Sequence, residues 1–490
     1  MLARVLAAAS LWAVHQSHSP PPRVAHPESL KDFKASVVEL KALLVALACN
    51  YYNHPLLRRS LNSMFEVASK THLIHEALIQ TAQTFATTAS LNSPFFSSLE
   101  ETTECPSIPG LQDIHLILKT GATESLRKLP IHFNTTLRCI PYFTIFSDYE
   151  EVISGFQVHD VFQGVDDNIK NTHPEFRLYN NLRDLGRAGL LGWNVVDQES
   201  TPSGKPNNPA WVLDKWKFLP MMHETLKFRA DAKWYIFMEA DTYILWPNLF
   251  AWLDKFNASK PYYLGAPMED SDGVIFAHGG AGYILSYPAL RTLTDYHSTR
   301  VEEWDKFTSA HWAGDIVLAS ALQKAGIDLH GSWPMLQNTK PWNFDYFTSF
   351  NEEPWCYPPV TYHHMDPEDI QVVWEFERKW HSENENQFIL HRDVFQELVQ
   401  PGYSNFKQDW DNSSDDIVKG VQSAAQCAAQ CAQEAECVQY SYKNSICRTS
   451  KLLKLGARVP GAVSGWAAER IDQRLTQKGP CEQIKWIDPQ

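Results

Sequence analysis

The sequence predicts an α/β fold with a mainly parallel sheet, followed by a small disulfide-stapled α+β module, and three observations carry that prediction. From Ile114 onward, short apolar runs alternate with helix-periodic segments. Several of those runs end directly on polar residues, as strands do where a parallel sheet opens onto a binding crevice. Near the end of the chain, Cys427, Cys431, Cys437 and Cys447 crowd into one short stretch.

Taken in order, residues 1–20 hold one Arg followed by an apolar run from Val5 to Val14, long enough for a signal-peptide core and too short to cross a bilayer. They read as a signal sequence or a truncated signal anchor, which leaves membrane anchoring through the N-terminus open. Residues 21–104 read as a helical stem, with helix-like apolar spacing and few strand signals from about Glu28 to Ala89. Residues 105–400 form the α/β domain, with strands expected in IHLILKTG, CIPYFTIFSD, AKWYIFMEAD, KPYYLGAP and VIFAHGGAGYILS. Helices are expected in NLFAWLDKF and DIVLASALQKAG. The segment NSSDD, from Asn412, reads as a linker into a module spanning 412–475, where one helix and a few strands bury little core without their disulfides.

Composition narrows the functional classes. A formal net charge of −14 argues against a nucleic-acid partner, since phosphate backbones are held by Lys and Arg patches. A polyanionic ligand then requires a metal ion and a few local cations. Nine cysteines without any Cys-x-x-Cys pair fit an oxidising compartment better than a zinc finger or a thioredoxin-like site. Sequons at Asn134, Asn257 and Asn412 agree with a luminal chain.

Three strand ends attract attention: KTG, with Lys119 and Thr120; FSD, with Asp148; and EAD, with Glu239 and Asp241. Carboxylates one residue apart at a strand end can turn toward one point, and their hard oxygens suit Mn²⁺ or Mg²⁺ bridging a diphosphate. Further on, His363 and His364 close another strand, and either can complete a metal site or simply be solvated in a loop. Asp366, Pro367 and Asp369 then read as the N-cap, first position and third position of a helix. Gly279, Gly280 and Gly282 remove side chains where the backbone turns sharply or approaches a ligand. Asp315 opens a helix, either as a cap or as a general base.

In combination, EADTY, the Gly-Gly-Ala-Gly segment, the acidic helix start and the later histidine resemble, in this order, the inverting β1,3-glycosyltransferases that include Fringe and the core 1 galactosyltransferase, and in particular the fungal branch of that family. The resemblance runs from about Cys105 to Trp380 and implies a GT-A fold, a UDP-sugar donor and a glycan or glycoprotein acceptor in the Golgi lumen. It implies Asp241 and His363 as ligands of Mn²⁺, with Mg²⁺ as the alternative, and Asp315 as catalytic base. Lys119, Thr120, Asp148, Lys215, Glu239, Gly279 and Gly280 are implied on the donor side. Two departures stand out: Glu239 replaces the usual first aspartate of the motif, and Gly314 stands where relatives carry a second acid. They leave open a non-catalytic carbohydrate-binding protein on the same fold. The cysteine cluster, with SGWAAERI, resembles a PAN/apple module.

Overall fold

The computed structural model describes residues 109–191, 193, 205, 207–347 and 352–489. The expected signal sequence and stem, residues 1–104, lie outside the described residues.

The strands of the first region are β1 (Ile114–Lys119), β2 (Phe143–Ser147), β3 (Glu151–Ile153), β4 (Phe156–Asp160), β5 (Trp234–Glu239), β6 (Tyr243–Ile244), β7 (Tyr263–Gly265), β8 (Pro267–Glu269), β9 (Ile275–Ala277), β10 (Tyr283–Ser286), β11 (Leu329–Gly331) and β12 (Thr361–Tyr362). Eight of them build one sheet in the order β11-β7-β10-β5-β1-β2-β4-β3. Pairings β1–β2, β1–β5, β2–β4 and β7–β11 are parallel, while β10 runs antiparallel to β5 and β7, and β3 to β4. This is the mixed, mainly parallel sheet of the GT-A type.

The central strands are apolar throughout because both faces are covered. Alternate residues of β5 divide between two cores: Tyr235 and Phe237 pack with Ile117, Phe146 and Leu219 on one face. Trp234, Ile236 and Met238 pack with Leu116, Leu118 and Ile145 on the other. Leu116, Ile117 and Leu118 are fully buried, each contributing roughly 1.5–3 kcal/mol of transfer free energy. The chain leaves β1 toward β2 on one side and returns as β5 on the other. The crevice between β1 and β5 is therefore the point where strand order reverses, and ligands of open α/β sheets sit at such points. The in-register pair Lys119 and Glu239 ends both strands there.

A second, five-stranded antiparallel sheet follows, built from β13 (Lys407–Asp411), β14 (Asp416–Val418), β15 (Gln439–Lys443), β16 (Ile446–Ser450) and β17 (Ala457–Trp466) in the order β13-β17-β15-β16-β14. Helix Ala424–Gln433 is stapled over it by Cys427–Cys447 and Cys431–Cys437. Arg470 of SGWAAERI donates to the carbonyls of Cys431, Ala432, Glu434 and Cys437, closing the C-terminal end of that helix.

Two expectations change here. The segment at Asn412 is not a free linker: Asn412 is fully buried, and its amide donates to the carbonyls of Tyr440 and Gly465. The sequon's own Ser414 hydroxyl donates to the Asn412 side chain at 2.8 Å, so in the folded chain this sequon is closed, whereas Asn134 and Asn257 are exposed. The second sheet also shares a core with the first region, since Val438, Leu453, Leu455, Trp466 and Ile471 pack in one cluster with Tyr243, Tyr362, Ile370 and Phe395. Cys481 pairs with Cys356, and the Trp252 indole donates to the carbonyl of Ile487, fastening the tail back onto the α/β region.

Candidate active site

Four local structures converge at the C-terminal end of β1 and β5. β1 delivers Lys119 and Thr120, and β5 delivers Glu239 and then Asp241. The short β6–β12 ladder pairs Tyr243 with Tyr362, and this pairing carries His363 back to Asp241 from far along the sequence. The Met365 amide donates to the Asp241 carbonyl and the His363 amide to the Thr339 carbonyl, fixing both backbones. Finally Gly279–Ala281 forms a single turn, tied in place where Thr242 donates to the Gly280 carbonyl at 2.8 Å and Thr361 to the Ala281 carbonyl at 2.6 Å.

Within this frame His363 Nε2 lies 3.2 Å from Asp241 Oδ1 and 3.9 Å from Glu239 Oε2. His364 stacks on His363 with centroids 3.9 Å apart. Its φ of 60° is left-handed, a conformation that non-glycine residues adopt at a cost of about 1–3 kcal/mol where the surroundings enforce it. Asp241, His363 and His364 each offer a ligand atom, all within 4.8 Å of one another. The Nδ1 of His363 is buried without a hydrogen-bond partner. A Cβ on Gly280 would stand 2.1–2.6 Å from the His363 ring, so glycine is required there by the imidazole's position. These residues fit a divalent cation.

Charge is concentrated around the cluster. Burial alone would raise the Asp241 carboxyl, but the charge and hydrogen bond of His363, then those of Lys128, hold it well below the usual carboxylate range. Burial would likewise lower His363, yet Asp241 and then Glu239 keep its imidazole above the ordinary value. Burial and the neighbouring histidines push His278, whose ring centroid is 5.3 Å from that of His363, down to about 3, leaving it neutral.

Lys119 is buried, pairs with Asp214 and with Glu239 Oε1 at 3.0 Å, and stands over the Phe218 ring. Beside it, Lys217 Nζ donates to the Thr120 carbonyl at 2.7 Å and faces Asp214 at 3.2 Å and Asp148 Oδ2 at 3.6 Å. Asp148 accepts from the Ala122 amide at 2.7 Å through Oδ1, while its Oδ2 is buried without a hydrogen bond.

Asp315, in the first turn of helix Gly314–Lys324, accepts from the Gly279 amide at 3.1 Å. A Cβ on Gly279 would lie 3.5 Å from Glu239 Oε1, so this glycine backbone stands between the two carboxylates. Burial, with some repulsion from Glu239, pushes the Asp315 carboxyl up to about 6. The neighbouring Gly314 has no room for a side chain: a Cβ would sit 2.2 Å from the Phe218 ring and 2.7 Å from the Lys215 Cα. An acidic side chain at this position would therefore require Phe218 and the Lys215 backbone to shift.

One expected donor-side residue is turned elsewhere. The Lys215 ammonium binds Glu175 at 2.8 Å and the carbonyls of His311 and Ser309, and it is Lys217, two residues on, that meets Thr120, Asp148 and Asp214. Sequence reading also missed Lys128, Asp214 and His278. Only the Glu124–Lys128 spacing at i,i+4 on one helix carried any signal for Lys128.

Sheet order, strand-end cluster and helix-borne carboxylate together are those expected of a GT-A type of fold. Residues 212–335 match the family described as Fringe-like, a segment that includes Glu239, Asp241, the glycine turn and Asp315. Among curated proteins it is 31% identical over 107 residues to the human chondroitin sulfate glucuronyltransferase, covering 20% of this chain and 13% of that protein. It is 22% identical over 184 residues to the Xenopus laevis glycoprotein-N-acetylgalactosamine 3-beta-galactosyltransferase 1, covering 33% and 50%. It is 28% identical over 94 residues to the human beta-1,3-glucosyltransferase, covering 16% and 19%. The chain thus spans from 13% to 50% of the length of these relatives.

Proposed function

We propose that the chain transfers a hexose or N-acetylhexosamine from a UDP-sugar to a glycan or glycoprotein acceptor, with inversion and formation of a β1,3 linkage. The observation that carries this reading is the meeting of Asp241 and His363 at 3.2 Å, with Asp315 on the far side of Gly279 and Glu239. Asp315 is the general base: its raised carboxyl accepts the proton of the attacking acceptor hydroxyl while the anomeric carbon is approached from the face opposite the nucleotide. Lys119, Thr120, Asp148, Glu239, Gly279 and Gly280 line the donor side, and Lys217 joins them in place of Lys215. Asp241 and His363, with His364 within reach, would hold a divalent cation, and an imidazole in the donor set favours Mn²⁺ over Mg²⁺, whose shell is normally all oxygen. That cation, when bound, neutralises negative charge on the diphosphate leaving group.

The disulfides of the C-terminal region support an oxidising, secretory-pathway compartment, and we place the chain in the Golgi lumen. Among the described residues no helix is long and apolar enough to cross a membrane. The PAN/apple resemblance of the cysteine cluster and SGWAAERI supports a role for this module in binding protein or carbohydrate.

The test is UDP release from a panel of UDP-sugars with and without Mn²⁺, repeated with Asp241→Ala and Asp315→Asn. Metal-dependent release with one donor, lost in both variants, is the expected result. Tight donor binding without turnover for any sugar would instead establish a carbohydrate-binding protein.

A further inference from the structure

The two oxygens of Asp241 are divided between partners of different kinds. Oδ1 faces His363 Nε2 at 3.2 Å, while Oδ2 accepts from Lys128 Nζ at 2.9 Å. Lys128 is 10% exposed as a side chain and is held a second time by Glu124 Oε2 at 2.6 Å. Because Glu124 and Lys128 are four residues apart and meet on one helical face, the ammonium is tethered beside the candidate metal ligand. The site therefore contains its own monovalent cation, in contact with the carboxylate to which a divalent one would bind.

We propose that Lys128 competes with the divalent cation for Asp241, and that the nucleotide diphosphate relieves this competition by drawing the ammonium to its own oxygens. This rests on the site reading given above and adds a positioning residue to it. Two positive charges a few ångströms apart in a water-poor crevice repel strongly, so a metal bound to Asp241 beside Lys128 is held weakly. A diphosphate adds negative charge that pairs with both cations. Metal and nucleotide then each tighten the other's binding by one and the same factor, as linkage requires. Enzyme without donor would hold little metal, and metal and donor would load together.

The test is calorimetric titration of the full chain with Mn²⁺ alone, with UDP alone, and with each in the presence of the other. It compares the parent chain with Lys128→Met, Lys128→Arg and Asp241→Ala, with thermal unfolding recorded for every variant. In the parent chain UDP is expected to tighten Mn²⁺ binding about tenfold or more, a typical coupling free energy. Lys128→Met, which keeps the aliphatic stem and loses the charge, should bind Mn²⁺ alone about tenfold more tightly and reduce the coupling to within about threefold, whereas Lys128→Arg should preserve it. Lys128→Gln replaces the Met variant if the latter does not fold. A neutral variant that binds Mn²⁺ alone no more tightly than the parent chain, or keeps the full coupling, overturns the proposal. Failure of the site reading looks different: Asp241→Ala would bind Mn²⁺ as well as the parent chain, or the parent chain would bind neither ligand, and this inference would fall with that reading.

Discussion

The crevice at β1 and β5 and the five-stranded sheet at the end of the chain both bury polar side chains, and they satisfy them in opposite ways. In the second sheet the buried polar groups are neutral and mutually bonded. Gln439 donates to the Asn412 carbonyl and to Ser414, accepts from the Lys454 amide, and lies next to an Asn412 that is bonded on every side. Among the described residues, no buried side-chain nitrogen or oxygen between 407 and 478 lacks a partner. In the crevice the buried groups are charged and incompletely matched: Asp148 Oδ2 and His363 Nδ1 have no hydrogen bond, and Lys119, Lys217 and Lys128 are distributed over Asp214, Glu239, Asp148 and Asp241. A satisfied neutral network stabilises one conformation, whereas mismatched charge in a water-poor place is what remains when a ligand is to complete the set.

That contrast predicts a separation of effects. The largest belongs to Asp315→Asn, which should lower kcat about 10²–10⁴-fold while leaving thermal unfolding within about 0.5 kcal/mol of the parent. In the parent chain kcat/KM should rise with pH through about 6, because the base acts only when deprotonated, and the variant's residual rate should lose that limb. A parent profile flat from pH 5 to 8 would remove Asp315 from the role.

Next in size, replacing both Cys427 and Cys447 by Ala opens a staple with a sequence separation of 20 and should cost about 2–4 kcal/mol of stability. UDP binding below the unfolding transition should be unchanged; a parallel loss of UDP affinity would erase the distinction between the regions.

Gly280→Ala acts in the other direction. The added methyl must displace the His363 ring, so Mn²⁺ affinity in the presence of UDP should fall about 10–100-fold with little change in unfolding. Unaltered Mn²⁺ affinity would show that His363 is not a ligand.

The smallest effect sharpens the boundary between the regions. Glu377 is largely shielded from solvent, accepts from the Tyr243 hydroxyl, and loss of hydration pushes its carboxyl up to about 7. The folded state therefore prefers the protonated acid, and the stability this contributes is complete below the ordinary glutamate value and is lost as pH rises toward 7. Glu377→Gln keeps an acceptor for Tyr243 without the charge and should raise stability at pH 8 by about 1–2 kcal/mol, with no gain at pH 4.5. Denaturant unfolding at both pH values measures this.

Much of the crevice was legible in the sequence because strand ends announce themselves: KTG, FSD and EAD each follow a run buried on both faces. Asp366, Pro367 and Asp369 were equally readable, and the capping box forms as their spacing requires. Helix-borne partners were not readable in this way. Lys215 and Lys217 share one short segment, and only the turn at 215–217, which sets Lys217 three residues after Asp214 and against the Thr120 carbonyl, decides between them. Lys128 carries only its i,i+4 spacing from Glu124, and His278 no local pattern, to distinguish them from surface or core residues, since their meaning comes from what packs opposite. The sequon at Asn412 misled for the converse reason: a three-residue motif records chemistry, and burial by strands many residues away silences it.

The Cys356–Cys481 bridge and the Trp252–Ile487 bond have a practical corollary. Anyone trimming this chain for crystallisation, or grafting its last sheet onto another protein, would cut through a wall common to two rooms. Truncation before residue 481 discards the bolt as well as the tail, so swaps should carry the whole stretch from 356 onward.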